Sequence, residues 1–158
     1  MTDIQLIPAE PKDSETLADV SARAFHSDVL CGGAGEGGPP GYNSPQWQAM
    51  IMKKADYYTV ILNDKIIGGA IVFRKKDGQY HLGRIFIDPE VHRKGLGAKA
   101  MQMVLDRYPY AKRWTLETPP WNTRTREFYR KQGFRIVGET EEDVFFEKII
   151  RPGDNDSP

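Results

Sequence analysis

The stretch VHRKGLGAK, Val91 to Lys99, decides how the rest of the chain is read. Just before it, YHLGRIFID reads as a strand that ends at Asp88-Pro89. Just after it, Gly95 to Tyr108 has helical spacing, with Ala100, Met101, Val104, Leu105 and Tyr108 on one stripe. A strand, a glycine turn and a helix start in that order form an anion site. The first helical turn offers unpaired N–H groups and a partial positive charge. Gly95 and Gly97 let a phosphate approach the backbone without a Cβ in the way. Arg93, Lys94 and Lys99 add charge. The spacing is neither a dinucleotide fingerprint nor a Walker loop, because it lacks a third glycine and a GK[ST] triplet.

Upstream, IQLIP (Ile4–Pro8) reads as a short strand. Asp13 or Ser14 caps a helix with Leu17, Val20 and Ala24 on its apolar face. Ser44 caps a second helix with Pro45 in its first turn, running to about Lys54. Tyr57–Leu62, Lys65–Arg74 and Gln79–Asp88 form a meander, turned at Asn63-Asp64 and Asp77-Gly78. Downstream, Arg113–Thr118 is a strand ended by Pro119-Pro120. Thr123–Gln132 is a helix closed by Gly133. Phe134–Gly138 and Val144–Ile149 are strands joined by the acidic turn ETEED. The order β-α-α-β-β-β-α-β-α-β-β predicts an α/β (α+β) fold. Its sheet is mixed and mostly antiparallel, with helices on both faces. One domain is expected over 1–150, with a disordered polar tail at 151–158.

The 158 residues carry 22 basic and 22 acidic side chains. Zero net charge hides an asymmetry. Between His92 and Lys131 stand ten Lys/Arg and three acids, a local excess of +7 that the remainder balances. A basic segment suits an anionic ligand. Overall neutrality argues against nucleic acid, which calls for a basic footprint. No apolar run is long enough to span a membrane and the N-terminus does not read as a signal peptide. The single cysteine, Cys31, excludes an internal disulfide and a cysteine-based metal cage. These features predict a cytoplasmic protein with no metal.

HRKGLG resembles the pyrophosphate loop [Q/R]-x-x-G-x-[G/A] of the GNAT acetyltransferase superfamily, which binds acetyl-coenzyme A. NTRTREFYRKQGF, Asn122 to Phe134, is similar to that family's second signature: an Asn, a Tyr seven residues on, then a basic turn ending in Gly-Phe. The element order matches that fold over Ile4 to about Ile149, and the resemblance implies a sheet of about seven strands. It places acetyl-CoA on His92, Arg93, Lys94, Gly95, Leu96, Gly97 and Ala98. The pantetheine arm would pair with the strand edge near Phe86 and Ile87, and Asn122 and Lys131 would complete the site. His92 departs from the family's Gln or Arg. A charged imidazole there would tie cofactor affinity to pH between 6 and 8; a solvent-facing His92 would not.

The implied reaction is direct attack of a primary amine on acetyl-CoA in a ternary complex, with Tyr129 near the cofactor sulfur as acid. A phenol titrates near ~10 and a thiol near ~8.5, so the hydroxyl can donate to the departing sulfur. A backbone N–H near Phe86 or Ile87 would receive the carbonyl oxygen. Glu117, on the face opposite Trp114 and Leu116, is the candidate base, directly or through a water. Asp88, His81 and Glu36 are its rivals. Asn122 also suits a plain N-cap. Cys31 has no activating neighbour by spacing, so no acyl-enzyme is expected.

The glycine-rich run CGGAGEGGPPGYNS, Cys31–Ser44, fails the phosphate test, because no strand leads in and prolines block a helix start. It reads as a lid on the acceptor side, with a plain surface loop as the other reading. Glu139, Glu141, Glu142, Asp143 and Glu36 would attract a cationic amine. Trp47, Tyr42 and Tyr57 suit either the acceptor pocket or the core. The alternative function is a non-catalytic acyl-CoA-binding module on the same fold. Both monomer and homodimer remain open.

Overall fold

The computed structural model describes residues 3–27, 38–91 and 95–151. His92, Arg93, Lys94, Cys31, Glu36 and the tail from residue 152 lie outside the described residues.

Seven strands form one sheet: β1 (Ile4–Pro8), β2 (Asp56–Leu62), β3 (Lys65–Arg74), β4 (Gln79–Ile87), β5 (Arg113–Thr118), β6 (Arg135–Glu139) and β7 (Val144–Ile149). Their spatial order is β1-β2-β3-β4-β5-β7-β6. Every pairing is antiparallel except β4 with β5. The two tight turns read from sequence are present. Asn63 and Asp64 adopt φ of 51° and 63°, and Asp77 and Gly78 adopt 57° and 75°, the left-handed pair that joins twisted strands with least splay.

Four helices cover the sheet: α1 (Ser14–His26), α2 (Pro45–Ile51), α3 (Leu96–Asp106) and α4 (Thr123–Lys131). Side-chain alternation along the strands sorts them into two cores. On one face, Leu17, Val20 and Ile51 of α1 and α2 meet Tyr57, Ile71 and Phe86. On the other, Ala100, Met101, Val104 and Leu105 of α3 and Tyr129 of α4 meet Val60, Ala70, Val72, Trp114, Leu116 and Phe146. Each fully buried large side chain contributes about 1.5–3 kcal/mol, so the two layers are what fix the helices to the sheet.

Local chemistry sets the ends. Ser44 Oγ accepts the Trp47 N–H at 3.1 Å, and Pro45 occupies the first turn. At α1 the expected side-chain cap is absent. A 3-10 turn at Pro11–Asp13 leads into the helix, and Ser14 Oγ donates to the Pro11 carbonyl at 2.7 Å. Gly133, at φ 92°, ends α4. Its N–H reaches Arg130 O, and the Phe134 N–H reaches Tyr129 O, both at 3.0 Å.

The basic excess between His92 and Lys131 is partly absorbed by the fold. Lys99 pairs with Asp3, Arg113 with Glu147 and Arg126 with Glu139, while Arg107 donates to the Leu6 carbonyl. Glu147, fixed by both Arg113 and Arg135, is held below the usual carboxylate range by those two hydrogen bonds.

Candidate active site

The site begins where β4 and β5 part. Their parallel pairing covers only Gln79↔Arg113, Tyr80↔Trp114 and His81↔Thr115. β4 then runs on to Ile87 and β5 to Thr118 without touching through the backbone. A register shift in β4, where Ile71 opposes Arg84 but Val72 opposes Leu82, kinks the strand as the gap opens. Beyond the kink Leu82, Ile85 and Ile87 face the α3/α4 core, whereas Arg84 and Phe86 face α1 and α2.

Backbone alternation says which groups line the gap. The Asp88 N–H donates to Ile67 O of β3 at 2.7 Å, so Phe86, two residues back and opposite Gly69, also turns its N–H toward β3. Ile85 and Ile87 turn their backbone toward the splay. Of the two expected positions, Ile87 turns its N–H toward the splay and Phe86 turns its N–H toward β3, and both residues line the gap's cavity.

A cavity of about 230 Å³ lies in this gap. Leu96 and Gly97 of α3 form one wall; Arg124, Thr125, Phe128 and Tyr129 of α4 form another. Ala24, Phe25 and Ser27 of α1 close it against Ile85, Phe86 and Ile87. Thus the first turn of the helix after the glycine motif and the tyrosine of the second motif meet in one cavity, though 32 residues separate Gly97 from Tyr129. Gly95, the residue before α3, has φ 88° and open space around it, so its glycine is required by backbone conformation. A Cβ on Gly97 would stand 3.5 Å from the Phe128 ring, inside the cavity wall.

Tyr129 is buried, with its ring edge-on to Phe128 and Phe134 and tilted against Phe146. Asn122 is 1 % exposed, and its Oδ1 accepts the Thr125 N–H at 3.1 Å, so the N-cap reading holds. Neither Ala98, half-buried on α3, nor Lys131, exposed in the last turn of α4, lines the cavity. The sequence reading missed Ile85, Ala24, Phe25, Ser27, Arg124, Thr125 and Phe128. Thr125 and Phe128 carry a signal in hindsight, because they share a helical face with Tyr129. The α1 residues carry none, since their place depends on where that helix crosses the sheet.

The candidate bases separate. Asp88 is 1 % exposed. Arg23 Nη2 donates to it at 2.6 Å and the Glu90 N–H at 2.9 Å. Burial pushes its carboxyl up, but the Arg23 and Glu90 hydrogen bonds with the charges of Arg23 and Lys65 outweigh this and hold it below the usual range. It is a clamp between α1 and the turn after β4. Glu117 is exposed on β5, on the α1/α2 side of the sheet. His81 stands on that same side, with Nδ1 2.8 Å from Thr115 Oγ1 and its ring 6.4 Å from that of Phe73. Burial pushes the imidazole down, against the opposing pull of Glu117. Burial thus favours the neutral imidazole, with Glu117 on the same side of the sheet.

The described end of the glycine-rich run, Gly38–Ser44, packs on the helices. Gly41 has φ 76°, and a Cβ there would fall 2.1 Å from the Trp47 indole. Gln48 Nε2 donates to Gly41 O at 3.1 Å, and Tyr42 Oη lies 2.9 Å from His26 Nε2. Tyr57 is core, its hydroxyl donating to Gln48 Oε1 and its pKa pushed up by burial. The acidic β6–β7 turn stands at the splay end of the sheet, because Val144 opposes Thr118.

The profile of the Acetyltransferase (GNAT) family matches residues 23–134, from the middle of α1 to the end of the second motif. The chain belongs to that family. A peptidyl-lysine N-acetyltransferase of Salmonella typhimurium is 33% identical over 63 residues, 40% of this chain and 41% of that protein. An uncharacterized Bacillus subtilis protein is 29% identical over 104 residues, 65% of this chain and 56% of the other. The chain thus matches about half or less of those relatives' length. Among solved structures, the PaiA N-acetyltransferase of Thermoplasma acidophilum in complex with coenzyme A superposes with a TM-score of 0.79. It is 16% identical, covering 94% of this chain and 99% of that one. The ribosomal-protein-S18-alanine N-acetyltransferase of Escherichia coli gives 0.73 at 19% identity, covering 94% of each chain. These likenesses establish the fold. No helix among the described residues is long and apolar enough to cross a membrane.

Proposed function

We propose that this chain is an N-acetyltransferase that moves an acetyl group from acetyl-CoA to a primary amine by direct attack in a ternary complex. The observation that carries the reading is the single cavity joining the α3 N-terminus to Tyr129 through the β4–β5 gap. The residues fit the cofactor. Leu96 and Gly97 offer N–H groups at a helix start preceded by a left-handed Gly95, which suits a pyrophosphate. Ile85 and Ile87 present a strand edge, which suits the peptide-like pantetheine arm. Bound acetyl-CoA supplies an activated thioester carbonyl.

The chain's own groups then have separate tasks. Backbone N–H groups on the splay side of β4 stabilise charge on the carbonyl oxygen. Glu117 accepts the proton of the incoming ammonium, with His81, on the same side of the sheet, as a relay. The nitrogen bonds the acetyl carbon as the carbon–sulfur bond breaks. Tyr129 donates its hydroxyl proton, or a strong hydrogen bond, to the departing sulfur, and the second proton that the nitrogen sheds on becoming an amide restores the phenol or reaches the thiolate. Arg93 and Lys94 of the glycine motif supply positive charge for the phosphates. The amine-acetylating activities named for the Salmonella and Escherichia proteins support an amine acceptor.

The test is Tyr129→Phe, assayed by calorimetry with acetyl-CoA and by thiol release with an amine panel. The expected outcome is acetyl-CoA affinity within a few-fold of wild type and kcat lower by about 10²–10⁴, the range for a lost general acid. Wild-type turnover in the variant would remove Tyr129 from the chemistry. Binding with no transfer by the wild type would make the chain an acyl-CoA-binding module.

A further inference from the structure

Arg84 is placed where a structural arginine would be expected to have an acid, and none pairs with it among the described residues. Its guanidinium lies 4.1 Å from the centre of the Trp47 ring, and Nη2 donates to the neutral Pro40 carbonyl. Nη1 is buried with no hydrogen-bond partner, and no carboxylate pairs with Arg84 among the described residues. Elsewhere the fold gives its well-placed arginines acids: Arg23 has Asp88 and Asp19, and Arg113 and Arg135 share Glu147. Burial pushes the Arg84 pKa down to about 10, against the opposing effect of Tyr57. A guanidinium in that setting is still charged at neutral pH and still short of an anion.

The opposite bank of the gap holds the complementary group. Continuing the His81↔Thr115 register by two residues sets Glu117 level with Gly83-Arg84, on the α1/α2 side of the sheet that Arg84 also faces. No backbone pairing bridges the strands there. Glu117 is exposed and has no ion pair among the described residues. Yet Arg84 and Glu117 do not pair with each other. A cation and an anion therefore stand on the α1/α2 side of the splay, neither in an ion pair among the described residues.

We propose that the acceptor is an amine carrying its own carboxylate, an α-amino acid or a close relative. Its carboxylate pairs with Arg84 while its ammonium faces Glu117. This rests on the N-acetyltransferase reading above and narrows it, replacing the purely cationic acceptor suggested by the acidic turn. One zwitterion would satisfy both banks at once, with its carboxylate set beside the half-buried guanidinium. The acidic turn, with Glu139 already paired to Arg126, would act on net charge at longer range.

The experiment measures kcat/KM by thiol release for the twenty common L-amino acids, each against its α-carboxamide, with putrescine and spermidine alongside. Wild type, Arg84→Lys and Arg84→Met are compared, with thermal melts to confirm folding. The expected result is a wild-type carboxylate-to-carboxamide ratio of ten or more for the preferred acceptor. That ratio falls toward one in Arg84→Met and to an intermediate value in Arg84→Lys, which keeps the charge without the planar fork. A wild-type ratio near one, or variants that lower both members of a pair equally, would overturn the proposal and leave Arg84 as a brace for Trp47 and Pro40. Transfer to polyamines alone would overturn it while sparing the N-acetyltransferase reading. Failure to bind acetyl-CoA would remove both, whereas binding with transfer to none of these amines would overturn the proposal and spare the N-acetyltransferase reading for peptidyl amines.

Discussion

Asp88→Asn should separate a structural clamp from a catalytic base. The carboxylate is 1 % exposed and ties together three pieces of chain: Arg23 of α1, the Glu90 N–H in the turn toward the phosphate motif, and, through its own N–H, Ile67 of β3. Removing one member of a buried ion pair costs about 3–5 kcal/mol. Here Arg23 keeps 32% of its side-chain exposure and a second partner in Asp19, so water and Asp19 offset part of the loss. Asparagine also still accepts from Glu90. The expected cost is about 2–3 kcal/mol, read as a lower urea midpoint at unchanged m-value. The melting temperature should drop by roughly 4–12 °C. Because the folded carboxyl is held below its ordinary value, its contribution is complete above about pH 4 and is lost as pH falls through the folded value. Wild type should therefore lose stability below about pH 4 more steeply than the variant. Asp19→Asn, an exposed i,i+4 partner, is the control and should cost under about 0.5 kcal/mol. A cost below ~0.5 kcal/mol for Asp88→Asn, well under the range for a buried pair, would refute the clamp. So would unchanged stability with transfer lost about a thousand-fold, a loss that would make Asp88 the base.

Gly97→Ala should raise stability by about 0.5–1 kcal/mol, as glycine-to-alanine changes in helices do, since the new Cβ makes an ordinary 3.5 Å contact with Phe128. The same methyl should weaken acetyl-CoA binding at least ~10-fold in calorimetry by blocking backbone approach to the phosphates, and unchanged affinity would place the phosphates elsewhere. Gly41→Ala should destabilise by at least ~2 kcal/mol in urea melts, because it combines positive-φ strain with overlap on the Trp47 indole. A neutral result there would mean that the 38–44 turn does not depend on Trp47. Glu147→Gln should flatten the loss of stability on acidification, because Arg113 and Arg135 depress that carboxyl and its contribution disappears as pH falls through the folded value. An unchanged acid limb in circular dichroism would count against the triad.

The sequence determined the elements and the family. Periodicity placed the strands and helices, because burying one face imposes a period of two or of 3.6. Asn63-Asp64, Asp77-Gly78, Ser44 and Gly133 marked turns and caps, since those conformations favour few residue types. HRKGLG and NTRTREFYRKQGF each encode a local device, a helix start and a helix with its cap and stop. Local devices are legible because the residues that make them are neighbours in the chain.

What folding alone decided is how the pieces meet. That β4 and β5 pair over three residues and then part is set by the twist of a parallel pair and by the kink at Arg84, not by any pattern in either strand. That Asp88 is a buried, paired carboxylate depends on Arg23, 65 residues away in the chain. The sequence left Glu117 as the candidate for one task with Asp88, His81 and Glu36 as rivals, and of the three that are described only Asp88 is buried in an ion pair. Arg84 was one strand residue among many. Its half-buried guanidinium, with Nη1 unpartnered, exists only because α2 lays Trp47 over it and no carboxylate among the described residues pairs with it. Desolvation and pairing belong to positions in space, and a linear sequence does not state which charges will lose their water together.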